Sequence, residues 1–181
     1  MRIFPTAPQA GLYLASYTAP PASHAPKAPT LRDALPLIRY EASWIDAQKP
    51  APVDNEQAAC LAEALYFEAR GESIKGQFAV AEVILNRVDA TSYPDSVCDV
   101  VMQGASSSGC QFSFACDGKP ETINNTRVYD ELEKIAEIML DDGPRTLTLG
   151  ATHFHTSAVN PNWASKLPHT VTIGEHLFYR E

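Results

Sequence analysis
The sequence has no stretch near the roughly 20 consecutive apolar residues that a membrane-spanning helix needs, so hydropathy offers no candidate span. It has no block of lysine and arginine either: 14 basic residues stand against 22 acidic ones, a net charge of −8. Nucleic acid and anionic membrane surfaces are therefore poor partners, because both reward clustered positive charge. No internal repeat is present, and the helical His-Glu-x-x-His signature of many zinc hydrolases is absent. Cysteine is sparse, with four in 181 residues, but the number is even.

What is present is enough for a folded domain with an appendage. Hydrophobic residues make up 45% of the chain and charged residues only 20%, which supports a real core. Nine of the 14 prolines fall within the first 52 residues, amid alanine-rich sequence such as Ala19-Pro20-Pro21-Ala22. Residues 1–52 are expected to be an extended, poorly ordered tail, since proline denies hydrogen bonds to helix and sheet. A short helix is expected within Leu31–Trp44, interrupted at Pro36. The compact domain is expected over residues 53–181. Near the start, Met1-Arg2 and the apolar Ala10–Ser16 resemble parts of an export signal, but Pro5, Pro8 and Gln9 interrupt it.

Within the domain, helical periodicity dominates first. Asp54 or Asn55 can cap a helix to about Arg70, placing Leu61, Leu65 and Glu68 on one face, with Gly71 to end it. Ser73 can cap a second helix to about Val88, Ser96–Met102 suits a third, and a polar loop follows from Gln103 to Pro120. Thr126–Leu140 carries the stripe Val128, Leu132, Ile135, Ala136 and Met139 before Gly143-Pro144. The period then changes: Thr152–His155 reads as a strand, and Thr170–Arg180 as a hairpin turning at Gly174-Glu175. Helices first and a small antiparallel sheet last make the class α+β.

The four cysteines allow three pairings. Cys110 with Cys116 closes the smallest loop, which leaves Cys60 with Cys98. An even set of this kind suits an oxidising compartment; four reduced thiols packed as small hydrophobes are the alternative.

Glu68 is the residue with the clearest chemical potential. A carboxyl held against the apolar face of a helix has its charged form disfavoured, so its pKa rises. A protonated carboxyl near neutral pH can donate to a leaving-group oxygen, as glycosidic cleavage requires. Glu72 lies four residues on. An unbroken helix would place the two Cβ atoms about 5–6 Å apart, close to the ~5–5.5 Å between the carboxyls of a retaining pair. Gly71 argues against that continuity, and Glu72 can instead pair with Arg70 or Arg87, or sit at the positive end of the next helix.

The block Leu61-Ala62-Glu63-Ala64-Leu65-Tyr66-Phe67-Glu68-Ala69-Arg70-Gly71-Glu72 resembles the signature of the SleB/CwlJ-type cell wall hydrolases, the spore cortex-lytic enzymes. The likeness continues through Gly76-Gln77-Phe78-Ala79-Val80-Ala81, Leu85-Asn86-Arg87-Val88 and Cys110-Gln111-Phe112-Ser113-Phe114. Asp117-Gly118, Val159-Asn160-Pro161-Asn162-Trp163-Ala164 and Ile173–Arg180 complete it, in the family's order. The resemblance implies a lysozyme-like fold and lytic transglycosylation of peptidoglycan between N-acetylmuramic acid and N-acetylglucosamine, with Glu68 as acid and then base. It calls for no cofactor and no metal. The partner it implies is the peptidoglycan glycan strand, which places the protein in the envelope, the periplasm or outside the cell. The interrupted N-terminal stretch leaves residence in the cytoplasm until release open. Oligomeric state has no signal in the sequence.

Candidate substrate contacts are Gln111, Phe112 and Ser113, which offer an amide, an aromatic face and a hydroxyl to sugar groups. Tyr66, Glu72, His155, Asn160 and Trp163 are further candidates, each with a packing role as the alternative. His153 and His155, two apart on a strand, could join His169, His176 or a glutamate around zinc, which would suit an N-acetylmuramoyl-L-alanine amidase. A non-catalytic peptidoglycan-binding module is the other alternative.

Overall fold
The computed structural model describes residues 38–181 apart from Val53, Ser107 and Ser108. The expectations for residues 1–37, including most of the tail, lie outside the described residues. The compact unit begins at Ile38, within the segment assigned to the tail on its proline content. There Ala42–Asp46 forms α1, and Ile45 is fully buried. Ile38, Tyr40 and Trp44 pack against the same core, and Lys134 Nζ donates to the carbonyls of Ile45 and Asp46 at 3.3 and 3.1 Å. A few large apolar side chains fix this segment despite the prolines around it, because burial rather than local propensity decides whether a short helix forms.

Four further helices follow: α2 (Glu56–Ala69), α3 (Ile74–Asp89), α4 (Val97–Val101) and α5 (Thr126–Leu140). Each begins at a side chain that accepts from an otherwise orphaned backbone N–H. Asn55 caps α2 through Ala58 N, Ser73 caps α3 through Gly76 N, Ser96 caps α4 through Asp99 N and Asn125 caps α5 through Val128 N. The expected helix limits hold to within a residue or two for all four. A single 3-10 turn, Ser113–Cys116, lies in the loop before α5.

Helix α3 is the central element. Every residue from Gly76 to Leu85 is buried, including Gln77 and Glu82, as expected of a helix covered on all sides. Helix α2 packs on α3, α4 and α5, and Leu61, Leu65, Phe78, Ile84, Leu132 and Ile135 meet in the core. Two disulfides are formed, Cys60–Cys98 between α2 and α4 and Cys110–Cys116 within the loop, the pairing that loop size favoured.

The C-terminal strands β1 (His153–Thr156), β2 (His169–Ile173) and β3 (His176–Tyr179) form an antiparallel sheet in the order β1-β3-β2. Phe178 sits opposite Phe154 on one side and Val171 on the other. Three polar side chains of α3 hold the approach to β1. The Glu82 carboxylate accepts from Leu147 N (2.9 Å), Thr148 N (2.8 Å) and Thr148 Oγ1 (2.6 Å). Asn86 donates to the Ala151 carbonyl at 2.9 Å, and Arg87 Nε donates to the Thr152 carbonyl at 2.7 Å. The sheet is thus fastened to the C-terminal half of α3.

Candidate active site
Glu68 lies in the last turn of α2, half-buried. The residue before it, Phe67, stacks on Phe114 at 4.8 Å between ring centres, and so draws the disulfide-closed loop against this end of the helix. Among the described residues Glu68 takes part in no hydrogen bond. Burial pushes its carboxyl above the ordinary range, and the positive field of Arg87 pulls it partly back. Among the described residues no other charge contributes to the shift.

Glu72 is turned to a different task. Its Oε2 accepts from Glu175 N at 3.3 Å, and its Oε1 lies 3.4 Å from Nδ1 of the buried His176. That second contact is an ion-pair distance without hydrogen-bond alignment, since His176 Nδ1 has no hydrogen-bond partner. Gly174 turns at φ +59, and a Cβ there would collide with Glu72 Oε2. Glycine is therefore required twice at this turn, for its φ and for the carboxylate it admits. Glu72 joins the α2–α3 junction to the β2–β3 hairpin; Arg70 and Arg87, its expected partners, are engaged elsewhere. Arg70 lies over the Tyr66 ring at 4.7 Å.

Several candidate contacts prove to be core. Tyr66 is 1% exposed, and its hydroxyl accepts from Asn124 N and Asn125 N at 3.1 Å each, fixing the entry to α5. Phe112 is 2% exposed and lies beneath the Arg87 guanidinium at 5.3 Å. Neither ring is free to stack on a sugar. Because Phe112 and Phe114 point inward, Gln111 and Ser113 between and beside them are exposed, and Gln111 N donates to the Gln103 carbonyl at 3.1 Å.

Trp163 and His155 do come together. Trp163 packs edge-on to His155 (5.5 Å) and Tyr179 (5.4 Å) and tilted on His153 (5.1 Å). His155 Nδ1 lies 2.9 Å from the Thr156 carbonyl, which can only accept, so in the neutral ring that nitrogen carries the proton. Its Nε2 then accepts from the Tyr179 hydroxyl at 3.1 Å. Asn160 is exposed on the loop before Trp163. The histidines serve separate partners: His153 with Thr152, His155 with Tyr179, His169 with Thr172 and His176 with Glu72. Among the described residues no three His, Cys, Asp or Glu side chains converge as metal ligands would.

Arg87 is the residue that sequence reasoning misplaced. It is 4% exposed, between the rings of Tyr93 (5.4 Å) and Phe112 (5.3 Å), and its Nη1 is buried without a partner. Its signal in the sequence was a basic side chain in the last turn of a largely apolar helix. A cavity of about 550 Å³ lies away from this region, lined by residues such as Gln48, Asn55, Lys134 and Glu137.

The chain thus holds a half-buried acid on which a buried arginine acts electrostatically, exposed polar groups on the disulfide-closed loop, and an aromatic and histidine cluster on the sheet. In the catalytic domain of the germination-specific lytic transglycosylase SleB from Bacillus anthracis, the similarity reaches 30% identity and a TM-score of 0.56, covering 71% of this chain and 99% of that one. The catalytic domain of Bacillus cereus SleB gives 29% identity and a TM-score of 0.53, covering 74% and 98%. The spore cortex-lytic enzyme of Bacillus subtilis (strain 168) is 30% identical over 137 residues, 74% of this chain and 41% of that protein. That of Halalkalibacterium halodurans is 31% identical over 134 residues, 71% of this chain and 36% of that protein. The chain thus spans about two-fifths of the length of these curated relatives and nearly all of the solved catalytic domains. The cell wall hydrolase profile matches residues 71–179, beginning three residues after Glu68 and running to the end of β3. With the α+β fold and these matches together, the chain belongs to the cell wall hydrolase family.

Proposed function
We propose that this chain cleaves the glycan strand of peptidoglycan between N-acetylmuramic acid and N-acetylglucosamine as a lytic transglycosylase, with Glu68 as acid and then base. The observation that carries this reading is the environment of Glu68: a half-buried carboxyl, raised by burial, on which no second carboxylate acts among the described residues. A two-carboxylate hydrolase needs a partner acid a few ångströms away, and the nearest in sequence, Glu72, is committed to Glu175 N and His176.

In the first step Glu68 gives its proton to the glycosidic oxygen as the bond from that oxygen to C1 of the muramic residue breaks. The carboxylate so formed then takes the proton of the muramic C6 hydroxyl while O6 closes on C1. The products are a free N-acetylglucosamine hydroxyl and a 1,6-anhydro ring; no water is consumed, and Glu68 ends protonated as it began. One group serves both steps because acid and conjugate base are the same side chain.

The exposed Gln111, Ser113 and Asn160 are the contacts we assign to sugar hydroxyl and N-acetyl groups, and Trp163 with His155 the adjoining aromatic wall. The activity is assigned to the unit from Ile38 onward, and its site of action to the cell wall, where two disulfides suit an oxidising environment. The names of the relatives point to spore cortex as one candidate form of the substrate.

The test is mass spectrometry of digested sacculi. The wild-type chain is expected to release anhydro-muropeptides, and Glu68→Gln to release none while remaining folded. Reducing-end products would instead indicate a hydrolase, and freed stem peptides an amidase. Sacculi bound but never solubilised, with Glu68→Gln indistinguishable from wild type, would indicate a binding module.

A further inference from the structure
Arg70 is the C-cap residue of α2, and Tyr66 lies one turn before it. Helical geometry sets both about 200° around the axis from Glu68, on the opposite flank of the same turn. A recess of about 340 Å³ opens on that flank, lined by Tyr66, Arg70, Asn124, Asn125 and Val128. Its walls are held from below. The buried Tyr66 hydroxyl accepts from Asn124 N and Asn125 N at 3.1 Å each, and the Arg70 guanidinium lies over the Tyr66 ring at 4.7 Å. A ring face engages the plane of a guanidinium and leaves donors at its edge for other partners. Among the described residues no carboxylate lies at ion-pair distance from Arg70, although acidic residues outnumber basic ones in the chain. The negative end of α2 accounts for a cation at this position. It does not account for exposed amide side chains set around the same recess.

We propose that this recess, where Arg70 and Asn124 meet over Tyr66, is a subsite for a carboxylate of the peptidoglycan stem peptide, borne at its third residue or beyond. This inference rests on the proposed cleavage of peptidoglycan at Glu68 and names a part of the substrate held beside the cut.

The chemistry of the lining selects an anion. A planar guanidinium matches a carboxylate through two parallel hydrogen bonds, and a side-chain amide supplies a further donor. A sugar hydroxyl has no need of the cation. The way from the acid to the recess is open. Gly71 follows Arg70, is exposed, and a Cβ there would meet nothing within 4 Å. A helix with its side chains is about 10–12 Å across, and four extended residues reach about 13–14 Å. The far half of a stem carried by the muramic residue at Glu68 can therefore pass round the end of α2, whereas the lactyl group that joins stem to sugar is too short. Because the Tyr66 hydroxyl already fixes the two backbone amides before α5, little ordering of that loop is left to oppose binding.

The test begins with the free stem tetrapeptide L-alanyl-D-glutamyl-meso-diaminopimelyl-D-alanine, titrated into the 15N-labelled full chain. Resonances of Arg70, Asn124 and Asn125 should move, and the same peptide amidated at its third and fourth residues should bind about tenfold more weakly or worse, since a charge-assisted pair is lost. Arg70→Gln should weaken the acid form by a similar factor, and Arg70→Lys, which keeps the charge without the fork, by less. Added salt should erode the difference between acid and amide. The second arm measures kcat/KM on glycan strands with stems and on strands stripped of them. Arg70→Gln should lower the ratio of the two by about tenfold. Equal binding of the acid and amidated peptides, or binding indifferent to Arg70→Gln, overturns the proposal. So does a loss confined to stripped strands, where the lactyl carboxylate is free and would be the group bound. Should Arg70→Gln fail to fold, the acid and amide on the unaltered chain decide. The titration needs no turnover, so the two readings separate: an active Glu68→Gln defeats the assignment of the acid, whereas a tetrapeptide bound without regard to its charge defeats only the subsite.

Discussion
Removing the two disulfides one at a time should separate stability from activity. Cys60–Cys98 joins residues 38 apart in sequence, and Cys110–Cys116 residues 6 apart. In the chain-entropy picture a cross-link removes about 2.1 + 1.5R ln n cal/mol/K from the unfolded ensemble. That gives about 3.9 kcal/mol at 25 °C for the longer loop and about 2.2 kcal/mol for the shorter. For a chain of this size each kcal/mol moves the midpoint by roughly 2–4 °C, so Cys60→Ala/Cys98→Ala should lose roughly 8–16 °C and Cys110→Ala/Cys116→Ala roughly 4–9 °C. Alanine is the right replacement at Cys60 and Cys98, which sit within α2 and α4 and there lose nothing in helix propensity. Activity should rank the other way. The short bridge closes the loop that exposes Gln111 and Ser113 and that stacks Phe114 on Phe67, one residue from Glu68. Calorimetry of both variants, paired with release of soluble muropeptides at 25 °C, makes the comparison. The longer bridge should be the larger loss in midpoint with little change in rate, and the shorter the larger loss in rate. Equal midpoint losses would refute the loop-length reasoning, and full activity without the short bridge would refute its role in holding the loop.

Two other perturbations follow from buried carboxyls. Because burial raises the Glu68 carboxyl in the folded state, the fold binds more protons there than the unfolded chain, and stability falls as pH rises from the ordinary carboxylate range through the raised value. Glu68→Gln should therefore raise the unfolding midpoint at pH 7 and change little at a pH where both states are protonated; a midpoint lowered at pH 7 alone would contradict this. Glu82→Gln would set an amide NH2 against the N–H of Leu147 or of Thr148, leaving a buried donor unpaired at a cost of about 1–3 kcal/mol. Urea midpoints would register that loss, and an unchanged midpoint would mean that the loop before β1 had found another arrangement.

Much of the frame was legible because its causes are local. Asn55 and Ser73 act on N–H groups three residues away, which is why those two helix starts could be read from single side chains, whereas Ser96 and Asn125 cap helices that were read from their apolar residues. The apolar stripe of α5 and the Gly174 turn are likewise decided within a few residues. The start of the compact unit was harder to see, because proline content outweighed the few large apolar residues between Ile38 and Ile45 that the core captures. Among the candidate contacts, Gln111, Ser113 and Asn160 are exposed, whereas Tyr66 and Phe112 are not. An aromatic side chain reads the same in sequence whether it lines a groove or a core, and only its neighbours in space tell the two apart.

The sequence by itself determined the helices, the turn, the cysteine arithmetic and the family blocks around Glu68, since each depends on residue type and short-range spacing. The tertiary structure decided what those residues face. Arg87 meets the Thr152 carbonyl across 65 positions, and Glu72 reaches Glu175 N across 103. Contacts of that separation form only when the core has closed, through packing that no local rule encodes. Whether Glu68 has a cation or a second carboxylate for company was therefore a question for the fold.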